Sequence, residues 1–149
     1  RVLACDPVQH EMWADVLGVE YVDIDTVVSQ CDVLTLNADL NPSSFHIIGE
    51  RELSLMKKGV YVVDNARADL IDQQEMLRAL DDGTVAGLAI DVMHDEPPAL
   101  DDPYFNHPKV LVTTHISAYT AECLHGMGEK CVGDVERYVR GEAPVNAKD

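Results

Sequence analysis

Positive charge is scarce in this sequence. Lys and Arg number 11 against 27 Asp and Glu, so the formal charge is −16 at neutral pH over 149 residues. A surface of that sign repels phosphate backbones and anionic lipid, which argues against nucleic-acid and membrane-surface partners. Long apolar runs are missing as well. The longest cover only a few residues, too short to cross a bilayer. Disulfide and redox patterns are absent: Cys5, Cys31, Cys123 and Cys131 form no Cys-x-x-Cys pair. Cys123 and Cys131 stand on what reads as one helix, roughly 12 Å apart along its axis, too far to bridge. Unpaired thiols suit a reducing compartment, so a cytoplasmic location is expected. The opening residues Arg1 to Asp6 carry no signal-peptide pattern.

What is present is a globular composition. Hydrophobic residues make up 46%, too many for a disordered acidic tail, and the length suits one domain with a sizeable core. Five short apolar runs recur: Val2–Cys5, Val33–Leu36, Val60–Val63, Ala86–Ile90 and Val110–Thr113. Near-continuous runs of this kind predict strands buried on both faces of a parallel sheet. Glu20–Asp23 is a weaker strand near an edge. Helical signals lie between the runs. Asp72 and Glu75 form a capping-box pattern ahead of Met76, Leu77 and Leu80, and Gly83 stops that helix. Leu53 and Met56 give a second apolar face ending at Gly59. Asp25 is placed to cap a short helix carrying Val27 and Val28, and Asn41-Pro42 to start another. Leu124, Met127, Cys131, Val135 and Tyr138 predict a long closing helix over about 119–140. The stretch Asp95–Lys109, with four prolines, reads as loop. Alternating strands and helices define an α/β fold with a doubly wound, mostly parallel sheet.

Ligands of such sheets bind beyond the carboxyl ends of the strands. Asp6 follows the first run and Asn37 the second. Asp64, Asn65 and Arg67 follow the third, Asp91 and Glu96 the fourth, and His115 the fifth. Arg67 is suited to hold a carboxylate by two parallel hydrogen bonds. His115 is suited to exchange a proton near neutral pH, and Glu96 beside it would favour the imidazolium. Together they suit a 2-oxo acid, whose reduction needs a hydride that no side chain supplies, so a nicotinamide cofactor is implied. An acidic residue at Asp6 bonds adenosine ribose hydroxyls and repels a 2′-phosphate, favouring NAD over NADP.

Three segments together carry a resemblance. Val60-Tyr61-Val62-Val63-Asp64-Asn65-Ala66-Arg67-Ala68-Asp69-Leu70-Ile71-Asp72 resembles the arginine signature of the D-isomer-specific 2-hydroxyacid dehydrogenases. Ala86–Val92 followed by Asp95-Glu96-Pro97 resembles their glutamate segment, and Pro108–Ile116 their histidine segment. Order and spacing agree through all three. The resemblance implies a Rossmann-type NAD-binding domain. It implies that Arg67 orients the substrate, that His115 is the acid/base and that Glu96 pairs with it. Asp6, Asn37, Ala38, Asn65, Ala66, Asp91 and Ala118 are then expected to line the cofactor, with Asp91 toward the nicotinamide carboxamide. The segment His115–Thr120 looks like the D-lactate and D-hydroxyisocaproate branch. The implied partner is a small 2-oxo or 2-hydroxy acid.

Departures from the pattern define the remaining expectations. Thr114 stands where the family usually has proline, and Asn37-Ala38-Asp39 where it commonly has His-x-Pro. No Gly-x-Gly-x-x-Gly occurs, and only five residues precede Asp6. The first strand of the nucleotide fold and its phosphate loop are therefore expected to be missing, which makes the chain the C-terminal part of a longer enzyme. Residues 1–118 then form an incomplete nucleotide-binding domain, and 119–149 a closing helix and tail. An incomplete sheet leaves an edge open, so a homodimer across that edge is expected. The alternative is a non-catalytic nucleotide-binding or dimerisation module on the same fold. A metal site is not expected: Cys123 and His125 point about 200° apart on a helix.

Overall fold

The computed structural model describes residues 1–146, the Trp13 side chain excepted. They fall into two units, one from Arg1 to Thr114 and one from His115 onward. The first unit holds six strands, β1 (Val2–Ala4), β2 (Val19–Tyr21), β3 (Val33–Leu36), β4 (Val60–Asp64), β5 (Val85–Ile90) and β6 (Val110–Val112). Every pairing between them is parallel. Between the strands lie α1 (Glu11–Leu17), α2 (Ile24–Gln30), α3 (Glu50–Leu55), α4 (Gln73–Asp81) and the short α5 (Pro103–Asn106). The five apolar runs are all strands, and the weaker Glu20–Asp23 stretch contributes to β2.

Local chemistry sets the helix ends. Asp72 caps α4 by accepting the amides of Gln74 and Glu75, and Gly83 leaves it in the left-handed region at φ 79°. Asp25 is not the cap of α2. Asp23 is, because it stands just before the first helical residue and its Oδ1 accepts the Thr26 amide at 2.7 Å. Asp25 lies in the first turn and binds Arg51 at 2.5 Å. Nor does Asn41-Pro42 open a helix. Asn41 Oδ1 accepts both the amide and the hydroxyl of Ser43, at 2.9 and 2.6 Å, and Ser44 donates to the Asp39 carbonyl. Such side-chain bonds compete with the helical ladder and hold a run of turns instead. The loop-rich stretch contains α5, started by Asp102 and Pro103. The apolar pattern carries no signal for α1, whose Met12, Val16 and Leu17 are exposed.

One face of the four-stranded part carries the core. Leu34, Leu36, Val60, Val62, Leu88 and Ile90 point to it, and Val27, Val28, Leu53, Met76 and Leu80 from the helices fill it. Each fully buried side chain of this size contributes about 1.5–3 kcal/mol. The runs are not buried on both faces, as their apolar continuity suggested. Val33, Tyr61 and Leu111 on the other face are 60%, 55% and 65% exposed, because the helices that fill the core all pack on the side of Leu34 and Val62. On that open face Tyr61 lies across Gly87, its partner in register. A Cβ at Gly87 would stand 3.2 Å from the ring, so any other residue there requires the Tyr61 ring to shift slightly.

The sheet is in two parts. The hydrogen-bonded order is β1-β2 and, separately, β3-β4-β5-β6. Among the described residues, β1, β2, β3 and β6 each keep one unpaired edge. Leu3, Val22, Ile24 and Cys31 pack against the core, joining the two-stranded part to it.

The second unit contains α6 (Ala121–Val139). Thr120 caps it by accepting the Cys123 amide at 3.1 Å. Its apolar positions Leu124, Met127, Val135 and Tyr138 are exposed.

Candidate active site

Because the strands are parallel, their carboxyl ends share one edge of the sheet. Val63 and Asp64 pair in register with Ala89 and Ile90, and the Asp91 amide donates to the Asp64 carbonyl at 2.9 Å. The segment bearing Arg67 and the segment bearing Glu96 therefore leave the sheet side by side. On the other side of β5, the Thr113 amide donates to the Ile90 carbonyl at 3.0 Å, and the Thr113 hydroxyl donates to Asp91.

Arg67 is exposed, and its Nη1 donates to the Ala66 carbonyl at 2.6 Å. The 3-10 turn Ala68–Leu70 follows at once, with Ala68 and Leu70 buried as anchors. The Asp69 and Leu70 carbonyls accept the amides of His46 and Ile48 at 2.8 and 3.0 Å. Arg67 thus presents a cationic head on a backbone fixed on both sides. Glu96 is exposed and accepts the Met93 amide at 3.2 Å.

Of the sequence-predicted cofactor residues of the first unit, Asp6 follows β1 of the two-stranded sheet, and Asn37, Ala38, Asn65, Ala66 and Asp91 follow strands of the four-stranded one. Asp6 is exposed and its Oδ1 accepts the Val8 amide at 2.7 Å. Asn37 and Ala38 are exposed, with Asn37 donating to the Thr35 hydroxyl at 3.2 Å. Asn65 is exposed, Ala66 half-buried and Asp91 buried. His115 and Ala118 fall in the second unit. His115 is exposed and takes a left-handed backbone at φ 57°, uncommon outside glycine. His46 does the same at φ 50°, so that conformation alone does not mark catalysis. Ala118 is exposed and its carbonyl accepts the Thr120 amide.

Three residues without an assigned role complete the rim. Asp64 is 1% exposed. Its Oδ1 accepts the Ala66 amide at 2.9 Å, and the Arg67 amide also bonds to it. Burial pushes the Asp64 carboxyl above its ordinary range, and the two amides and nearby His94 offset this in part. His94 Nδ1 lies 2.8 Å from Asp69 Oδ1. Tyr104 is fully buried. Desolvation first, then Asp102, Asp64 and Asp72, push its phenol above the usual range. Asp64 was detectable in the sequence: it stands in phase with Val60 and Val62, the inward positions of β4, where an apolar residue belongs.

The donor set fits a dinucleotide in part. Carboxylates at Asp6 and Asp91 suit ribose hydroxyls and a carboxamide amine. The pyrophosphate has no matching glycine loop in the sequence. No group of three or more His, Cys, Asp or Glu among the described residues is placed to hold a metal ion. No helix among them is long and apolar enough to cross a membrane.

A parallel sheet flanked by helices, with polar groups at its carboxyl edge, defines a Rossmann-like dinucleotide-binding domain. Residues 1–117 match the NAD binding domain of the D-isomer specific 2-hydroxyacid dehydrogenases. The chain belongs to that family. It is similar to a glyoxylate reductase of Korarchaeum cryptofilum, 32% identical over 98% of this chain and 44% of that protein. Apo D-lactate dehydrogenase from Escherichia coli has a TM-score of 0.84 at 33% identity, covering 98% of this chain and 46% of the other. D-lactate dehydrogenase from Aquifex aeolicus, complexed with NAD and lactic acid, has a TM-score of 0.84 at 30% identity, covering 95% and 46%. The chain spans somewhat under half the length of these relatives.

Proposed function

We propose that this chain is the nucleotide-binding part of an NAD-dependent oxidoreductase that interconverts a small 2-oxo acid and a D-2-hydroxy acid. The observation that carries this is the adjacency of the Arg67 and Glu96 segments at the carboxyl edge, fixed by the Asp91–Asp64 bond. Arg67 binds the substrate carboxylate and orients its carbonyl. His115 gives a proton to the carbonyl oxygen in reduction and takes it back in oxidation. Glu96 is the carboxylate assigned to assist it. NAD, when bound, supplies or accepts the hydride. Asp6 bonds the adenosine ribose, Asp91 the carboxamide, and Asn37, Ala38, Asn65, Ala66 and Ala118 line the remaining cofactor surface. The protein works in the cytoplasm, as a homodimer. The relatives that carry it differ in substrate: a glyoxylate reductase, a D-3-phosphoglycerate dehydrogenase and a D-lactate dehydrogenase are among them.

The unpaired sheet edges favour a second reading, a non-catalytic nucleotide-binding or dimerisation module. An NADH titration of the 149-residue chain by nicotinamide fluorescence separates cofactor binding from its absence. Turnover is then assayed in the natural-length protein with 2-oxo acids. His115→Gln is expected to abolish reduction while NADH binding persists. Turnover that survives the substitution removes His115 from the chemistry.

A further inference from the structure

Asp64 is an acid in a place made for an apolar side chain. It ends β4 in the inward phase of Val60 and Val62 and is buried with them. Burying a carboxyl is costly unless its lone pairs are satisfied. One oxygen is used: Oδ1 takes the Ala66 amide at 2.9 Å, and the Arg67 amide also bonds to the carboxyl, closing a tight turn at the residue that bears the guanidinium. The other, Oδ2, is buried and finds no hydrogen-bond partner among the described residues.

Two further buried polar atoms share that condition, His94 Nε2 and the Tyr104 hydroxyl. Both residues exchange electrostatic influence with Asp64. His94 comes from the other segment, between Asp91 and Glu96. Its Nδ1 engages Asp69 at 2.8 Å, immediately beyond Arg67. A ring whose Nδ1–H donates to a carboxylate keeps Nε2 as an acceptor when neutral and as a donor when protonated. Asp64 and Asp69 therefore bracket Arg67 in sequence, and His94 ties the bracket to the Glu96 segment.

We infer that Asp64 is a positioning residue for Arg67, and that the His94–Asp69 pair braces the same turn against the Glu96 segment. This rests on Arg67 as the substrate-carboxylate anchor. Asp64 touches neither substrate nor cofactor. It sets the backbone from which Arg67 reaches.

The test compares Arg67→Gln, Asp64→Ala, Asp64→Asn, His94→Gln and Asp69→Asn in the natural-length protein, with glyoxylate and pyruvate as probes and NADH as the second substrate. Asp64→Ala is expected to raise KM for the 2-oxo acid about tenfold or more while KM for NADH stays within about twofold. Asp64→Asn, which keeps the acceptor at Oδ1, restores most of that loss. Asp69→Asn and His94→Gln, nearer the surface, are expected to raise KM for the 2-oxo acid severalfold in the same direction. They carry the test if Asp64→Ala does not fold. In the 149-residue chain, amide exchange at Ala66 and Arg67 is expected to quicken in Asp64→Ala, Asp69→Asn and His94→Gln but not in Asp64→Asn. Equal rises in both KM values, or no rescue by asparagine, overturn the positioning role in favour of general structural damage. Unchanged KM and unchanged amides in His94→Gln and Asp69→Asn overturn the brace. If Arg67→Gln leaves KM unchanged, Arg67 is not the anchor, and the amide exchange still decides whether Asp64 holds the turn.

Discussion

The Asp91 amide donates to the Asp64 carbonyl at 2.9 Å, and this bond sets the arginine and glutamate segments beside each other at the end of β4 and β5. The candidate site residues thus begin where the ladder ends. The strands fix the first residue after each run, and the side chains beyond it inherit that precision.

Arg67 offers a planar fork to a carboxylate, a match that a neutral amide cannot reproduce. Arg67→Gln is expected to lower kcat/KM for 2-oxo acids by about a hundredfold or more, chiefly through KM. Arg67→Lys keeps the charge but not the fork, so it should recover only part of the loss. Steady-state kinetics with NADH saturating would show it, and a glutamine variant with parental KM would remove Arg67 from substrate binding.

Asp82 supports the turn between α4 and β5. The Thr84 hydroxyl and amide and then Lys58 hold its carboxyl at about 2, below the ordinary 3.8. The folded state therefore binds its proton less readily than the unfolded chain. The resulting stability is present above the ordinary value and is lost as pH falls through about 2. Asp82→Asn should be less stable than the parent at neutral pH. The gap should narrow as pH falls below about 4. Urea denaturation at several pH values checks this, and a gap that widens in acid would contradict it.

Asp64 has the opposite sign. Burial raises its carboxyl despite the two amides and His94. Its contribution is fully present below the ordinary carboxylate value and is lost as pH rises through the raised one. Asp64→Asn removes that loss. Its melting temperature relative to the parent should climb as pH rises above about 4. A flat difference over that range would mean the carboxyl does not titrate in it.

Much of this was legible in the sequence because the signals are local. Val33–Leu36 and Val60–Val63 announce strands by composition, and Asp72 with Gly83 brackets α4 by capping chemistry. Arg67 and Glu96 stand out in the sequence because each follows a run that forms a parallel strand. What escaped depends on packing between distant segments. Val33, Tyr61 and Leu111 look as buried as Val62, and only the placement of the helices leaves them exposed. His94 shows no sign in the sequence that it meets Asp69, 25 residues earlier. Asp23 and Asp25 are equally good caps by type, and a two-residue difference in helix start decides between them.

Leu80 stands fully buried on α4 among the core residues. Leu80→Ala should cost about 2–5 kcal/mol, the transfer term plus the cavity left behind. Chemical denaturation with an unchanged m-value would confirm loss of stability alone. A cost under about 1 kcal/mol would mean that the helix relaxes into the space.

The open edges favour association of the chain with itself. β1 and β3 each keep an unpaired row of amides and carbonyls among the described residues, and such rows template further pairing. The exposed face adds Val33, Tyr61 and Leu111, apolar surface that gains by being covered. Opposing both is the charge of −16, which keeps copies apart at low salt and is screened as salt rises. Association should therefore strengthen with ionic strength, the reverse of what an interface held by opposite charges would do. Size-exclusion chromatography with light scattering at low and high salt reads the mass directly. Leu111→Lys should weaken association if the open face carries it, and Val33→Pro if the β3 edge does, because proline removes an amide from that edge. A monomer at every concentration and salt would mean that neither the edge nor the face recruits a second copy.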